Sequence, residues 1–127
     1  LADEGPAGEL VHELLVTAAE DRLVGACLAV VDRPAELPAI RRLAAHPRWH
    51  IRMFAAKALG RLGERADEAL LADLLDDPQW WVRYRAAQAL VALPWMRRDA
   101  LRELQASLPD RFARDALQQA IAERAFR

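Results

Sequence analysis

Laid against itself at an offset of 31 residues, the middle of this chain repeats. Pro47, Trp49, Arg52, Ala55, Ala56, Ala58, Leu59 and Leu62 fall on Pro78, Trp80, Arg83, Ala86, Ala87, Ala89, Leu90 and Leu93, and Ile51 falls on Val82. The same step carries Pro78, Arg83, Gln88, Ala89 and Leu90 onto Pro109, Arg114, Gln119, Ala120 and Ile121. A unit this short cannot bury a hydrophobic face alone, so like units must stack and share one apolar seam. Residues Gly8 to Val31 keep the apolar rhythm but lack the Pro and Arg landmarks, which makes them a degenerate first unit. The reading is one domain over 1–127, with approximate repeats 8–32, 33–63, 64–94 and 95–127. Breaks fall at Gly5 to Gly8, Arg33 to Pro38, Gly60 to Arg65, Pro94 to Arg98 and near Pro109, all too short for a linker.

Each unit reads as two helices. Ala66, Leu70, Leu71, Leu74 and Leu75 recur at three- and four-residue steps up to Asp76 and Asp77. Pro78 suits the first position of the next helix and Asp77 its cap. Val82, Ala86, Ala89, Leu90 and Leu93 then form an inward face whose alanines let helices approach closely. Hydrophobic residues make up 54% of the chain but aromatics only 6%, a balance of Ala and Leu that favours helix over sheet. The expected fold is all-α, a right-handed α-α superhelix of about four helical hairpins.

The string from Asp76 to Leu90, with its acidic residue and Pro in the turn, Val82-Arg83, and Ala86-Ala87-Gln88-Ala89-Leu90, resembles the core of a HEAT repeat. It resembles the short bacterial variety named after phycobilin lyase subunits, and His46 to Leu62 is similar too. The likeness is good from Pro34 to about Arg124 and poor at the start. The resemblance implies a protein-binding solenoid, and it implies that turn Asp and helix Arg bond in a ladder between repeats. Asp77 would pair with Arg83 or Arg52, making Asp77, Pro78, Arg52, Arg83 and Arg114 structural. His46 and Leu108 replace the turn acid in the second and fourth repeats, so the ladder is expected to be incomplete at both.

The formal charge is -1, which provides no general attraction to phosphate backbones and argues against a nucleic-acid partner. Arg41, Arg42, Arg48, Arg52, Arg61 and Arg65 cluster in sequence, and a DNA-binding stack, as in glycosylases built from HEAT-like repeats, needs such a strip to be continuous. The later repeats interrupt it with acids. Cys27 stands alone, so no internal disulfide forms and a reducing compartment is the simpler reading. The longest apolar run, Leu23 to Val31, is too short to cross a bilayer and reads as a buried helix face. A cytoplasmic protein is expected, alone or as the soluble domain of a larger or membrane-anchored one.

Chemical sites are scarce. His46 and His50 stand four apart, but Pro47 intervenes and no third ligand is near, so no metal is expected. His12-Glu13 is similar to the His-Glu pairs of a di-iron hydroxylase built from these repeats, an enzyme that needs several such pairs. Ser107, Thr17 and Tyr84 are the hydroxyl side chains, and Cys27 lies in an apolar helix, where thiols are inert; no catalytic residue and no cofactor is assigned. Acid pairs such as Asp67-Glu68 and Asp76-Asp77 suit helix ends.

The helical register from Val82 puts Trp81, Arg85 and Gln88 on one line, and His50, Phe54 and Lys57 on the equivalent line one repeat earlier; Phe112 and Gln119 extend it. In a solenoid the second helices line the concave side, so these residues form an aromatic and cationic strip suited to a protein segment with acidic and apolar side chains. Trp49 and Trp80, with Met53 and Tyr84, are read instead as filling the gap between repeats. The expected function is a non-catalytic scaffold or adaptor; an enzyme subunit, bilin-lyase-like or metal-dependent, is the alternative, with a DNA-binding stack behind it. Phe126 at the tail suggests contacts beyond the chain.

Overall fold

The computed structural model describes residues 6–17 and 21–125. Gly5 and Phe126, and the side chains of Glu13 and Thr17, lie outside the described residues. The helices are α1 (Pro6–Thr17), α2 (Asp21–Val30), α3 (Leu37–Leu43), α4 (Trp49–Leu62), α5 (Asp67–Leu74), α6 (Trp80–Ala92), α7 (Arg98–Ser107) and α8 (Arg111–Ala125). They pair as hairpins, α1 on α2, α3 on α4, α5 on α6 and α7 on α8, while α2, α4, α6 and α8 pack side by side in one row. The molecule is an α-solenoid.

The seam runs along that row. Ala55, Ala56, Ala58 and Leu59 of α4 and Ala86, Ala87, Ala89 and Leu90 of α6 are buried, with Ala113, Ala116, Leu117 and Ala120 of α8 continuing them. Small side chains set the spacing. At Gly60 a Cβ would lie 2.9 Å from the Ala89 Cα, so α4 and α6 touch nearly backbone to backbone there. In and beside α5, Leu71, Leu74 and the following Leu75 are buried, whereas Leu70 is half-buried and the preceding Ala66 exposed, a narrower stripe than the sequence suggests.

The turns are built from one device used three times. Arg52 Nη1 donates to the His46 and Pro47 carbonyls at 2.9 and 3.1 Å, Arg83 Nη1 to the Asp77 carbonyl at 2.7 Å, and Arg114 Nη1 to the Leu108 and Pro109 carbonyls at 2.8 and 2.9 Å. Each guanidinium thus clamps the turn that leads into its own helix. Pro78 is not the first helical residue: α6 starts at Trp80, after Gln79 in extended backbone (φ -96, ψ 125). Asp77 accordingly shapes the turn, its Oδ1 accepting the Gln79 N–H at 2.9 Å, and makes no bond inside the first helical turn. In the last hairpin Asp110 caps, accepting the Ala113 N–H at 2.9 Å.

Polar rungs, Arg52–Asp77 among them, join successive hairpins. Arg52 of α4 reaches forward and donates through Nε and Nη2 to both oxygens of Asp77, at 2.7 and 3.0 Å, so Asp77 pairs with Arg52 and receives Arg83 only at its carbonyl. Contrary to expectation, the rung at His46 is filled. His46 Nδ1 accepts the Arg48 N–H at 3.0 Å, as Asp77 accepts that of Gln79, and its Nε2 faces Asp21 at 3.6 Å. Asp21 occupies the position equivalent to Arg52, so acid and base have exchanged places, and Arg48 also pairs with Asp21. At Leu108 the rung is missing, as expected, and the Arg83 Nε is buried without a hydrogen-bond partner.

A second set of rungs joins the first helices. Glu36, buried before α3, takes the His12 Nδ1–H; its equivalent Asp67, buried at the start of α5, takes Arg41 through Nε and Nη2 at 2.7 and 3.1 Å. Burial alone would raise the Asp67 carboxyl, but the Arg41 bond, the Glu64 N–H and the Arg41 charge together hold it below the usual carboxylate range. The same bonds, to Asp67 first and Glu64 second, push the Arg41 guanidinium up. His12 is therefore bound to a structural carboxylate across the repeat boundary.

Candidate functional site

Helices α4, α6 and α8 line a groove of about 650 Å³. Lys57 and Arg61 of α4, Arg85 of α6 and Arg124 of α8 line it; Gly60, Ala89, Ala92 and Ala120 are among its small lining residues. Four cations face one carboxylate there, Glu123, which accepts the Tyr84 hydroxyl at 2.7 Å. Gln88 bridges the two sides, donating to the Tyr84 oxygen at 2.9 Å and accepting from Arg85 Nη1 at 2.8 Å.

The cations differ in how far the fold already uses them. Arg61 donates to the Leu28 and Val31 carbonyls at the end of α2, and Arg124 to the Val91 and Met96 carbonyls beyond α6, so both also tie helices together. Lys57 lies over the Phe54 ring, 5.8 Å from its centroid, with no carboxylate partner among the described residues. Arg85 spans the Tyr84 and Trp81 rings at 5.6 and 5.8 Å, and its Nε is buried without a hydrogen-bond partner. These two supply the groove's spare positive charge.

The residues singled out in the sequence are brought together only in part. Lys57, Arg85 and Gln88 line the groove, and Trp81 stands beside Arg85. Phe54 packs towards α2, where a Cβ on Gly25 would come 3.3 Å from its ring, and His50 stacks on Trp49 at 3.8 Å at the far end of α4. Phe112 is 56% exposed between the Arg83 and Arg111 guanidiniums, and Gln119 is exposed outside the groove lining, so α8 contributes Ala120, Glu123 and Arg124 instead. Trp80 does not fill a gap between repeats: at 43% exposure it stacks on Tyr84 at 5.1 Å and meets Trp81 edge to face. Trp49 is half-buried and packs against the core.

Sequence reasoning missed a second depression, of about 680 Å³, at the turn between α6 and α7. Arg65, Arg97, Arg98 and Trp95 line it, and Arg124 lines both hollows. Arg65 lies over the Trp95 indole at 5.3 Å, and the indole N–H donates to Glu68. The pair Arg97-Arg98 directly after Trp95 and Met96 was the available signal.

The basic stretch from Arg41 to Arg65 forms no continuous strip. Arg41, Arg48 and Arg52 are held by acids, Arg61 by carbonyls and Arg65 by Trp95, and Arg42 is exposed, as are Arg48, Arg61 and Arg65. Burial pushes the Cys27 thiol up and away from the reactive thiolate. Among the described residues no three His, Cys, Asp or Glu side chains are placed to share a metal ion, and no helix is long and apolar enough to cross a membrane.

A family model described as HEAT repeats matches residues 17–91. No curated protein and no solved structure matches the chain. The matched stretch spans α2 to α6, the helices that carry the Arg41–Asp67 and Arg52–Asp77 rungs and the α4 and α6 walls of the groove, and the chain belongs to the HEAT repeat family.

Proposed function

We propose that this chain is a non-catalytic scaffold or adaptor whose concave face holds an acidic segment of a partner protein. The observation that carries the reading is the groove between α4, α6 and α8, where Lys57 and Arg85 keep unspent charge over a floor of small side chains. Arg beside Trp and Tyr is the usual anchor of a protein interface, and the Trp81–Arg85–Tyr84 cluster supplies it at the groove's edge. The short Asp-Pro, Val-Arg, Ala-Ala-x-Ala-Leu unit supports the phycobilin-lyase-type bacterial variety within the family, and the single buried Cys27 supports a cytoplasmic setting.

The test is fluorescence anisotropy with a labelled, glutamate-rich peptide. Wild type should bind it more weakly as salt rises, because part of the attraction is screened. The double variant Trp81→Ala, Arg85→Glu should bind about tenfold or more weakly. Equal binding by the variant would remove this surface as the docking site.

A further inference from the structure

Leu23 and Val30 of α2 are 42% and 68% exposed, with Ala26 and Ala29 exposed beside them. The repeat register gives this patch its meaning. One step of 31 residues takes Ala26, Ala29 and Val30 onto Lys57, Gly60 and Arg61, the residues that α4 gives to the groove. It takes Leu23 onto Phe54, and a second step takes Phe54, Lys57 and Arg61 onto Arg85, Gln88 and Ala92 of α6. The exposed patch is therefore the first repeat's share of the same face of the helix row, and none of its four positions is charged.

The two zones are physically continuous. The Phe54 ring lies against α2 at Gly25, and Arg61 donates to the Leu28 and Val31 carbonyls, so α4 is tied to both the middle and the end of α2. Going the other way the surface turns positive: Lys57 and Arg61 on α4, Arg85 on α6 and Arg124 beside Glu123 on α8, and then Arg65, Arg97 and Arg98 around the adjoining depression. Solvent-exposed Leu and Val would be unremarkable singly, but here they sit in register with a ligand groove.

We propose that the concave face reads one partner segment in two zones, apolar side chains over Leu23, Ala26 and Val30 of α2, and carboxylates over Lys57, Arg85 and Arg124. The segment consequently lies in one direction across the helix row. This rests on the concave-groove reading and adds the apolar zone and the direction. Helices packed at about 8–10 Å place α2 and α8 roughly 25–30 Å apart, the reach of an extended segment of about eight or nine residues. Apolar contacts set affinity at one end, and charge excludes the reversed placement by setting carboxylates against an uncharged surface at the other.

Two labelled synthetic peptides test it, one with three leucines at one end and five glutamates at the other, its companion with serines for the leucines. The leucine-bearing peptide should bind wild type about tenfold more tightly than its companion, and Val30→Glu should abolish that advantage while leaving the companion within about twofold. Lys57→Glu should weaken both. A photo-crosslinker at the leucine end should label α2. Equal affinity of the two peptides, or labelling of α8 by the leucine end, would overturn the two-zone proposal while leaving the acidic groove standing. If neither peptide binds, the groove reading falls and this inference with it.

Discussion

Arg52 and Arg83 occupy the same place in successive repeats and do different amounts of structural work. Each clamps its own turn, but only Arg52 also meets a carboxylate, because Asp77 lies ahead of it where Leu108 lies ahead of Arg83. Removing Arg52 leaves the buried Asp77 carboxylate without its partner, a loss of about 3 kcal/mol, whereas removing Arg83 gives up a carbonyl bond and some packing, about 1 kcal/mol. Urea unfolding of Arg52→Ala and Arg83→Ala should therefore show the first destabilised more, by about 2 kcal/mol; equal losses would mean that the rung carries no special weight. The same comparison explains what the sequence hid at the start of the chain. In the sequence the first repeat lacks its landmark because Asp21 stands where the arginine should be, and His46 breaks the motif because it stands where the acid should be. Each looks like a defect alone. The two make sense only as a pair, and pairing is a property of the folded chain.

At the scale of helices, the 31-residue period was enough to place all the second helices from α4 onward, because Ala at fixed positions dictates which face meets the neighbour. Periodicity ranks positions by apolarity, and that is why it misplaces residues of α2 and α6. It assigned Leu23 to Val31 to a buried face, although Leu23 and Val30 are exposed, because an unbroken apolar run does not tell which of its positions turn towards the neighbouring helices. It treated Trp80 as filler because it aligns with Trp49, although only Trp49 packs against the core. Gly60 tests the packing itself. In an exposed helix, Gly→Ala stabilises by up to about 1 kcal/mol. Here the new methyl would sit 2.9 Å from the Ala89 Cα and 3.0 Å from its Cβ, forcing α4 and α6 apart. Gly60→Ala should lower stability by about 1–3 kcal/mol and reduce the thermal midpoint. A raised midpoint would show that the α4–α6 seam is looser than these distances require.

For the whole molecule, cohesion depends on two series of polar rungs, His12–Glu36 and Arg41–Asp67 along the first helices, Asp21–His46 and Arg52–Asp77 along the second. Neither series continues into the last hairpin among the described residues, where Arg98 stands in the place of Asp67 and Leu108 in that of Asp77. Within α7 only Leu101 is buried, against Asp67, Leu71 and Leu74 within α5. By contrast α8 is held to α6 through Ala113, Ala116, Leu117 and Ala120, through Tyr84–Glu123 and through Arg124. Local opening follows the weakest attachments, so α7 should open independently while α8 stays in the row. Native-state hydrogen exchange should accordingly find α7 amides opening at a lower free energy than those of α4, α6 and α8. Ligand in the groove should then protect α8, which contributes Arg124 and Glu123, more than it protects α7. If α7 and α8 open together at one free energy, the hairpin is the unit of stability here, and the missing rungs do not decide where the stack gives way.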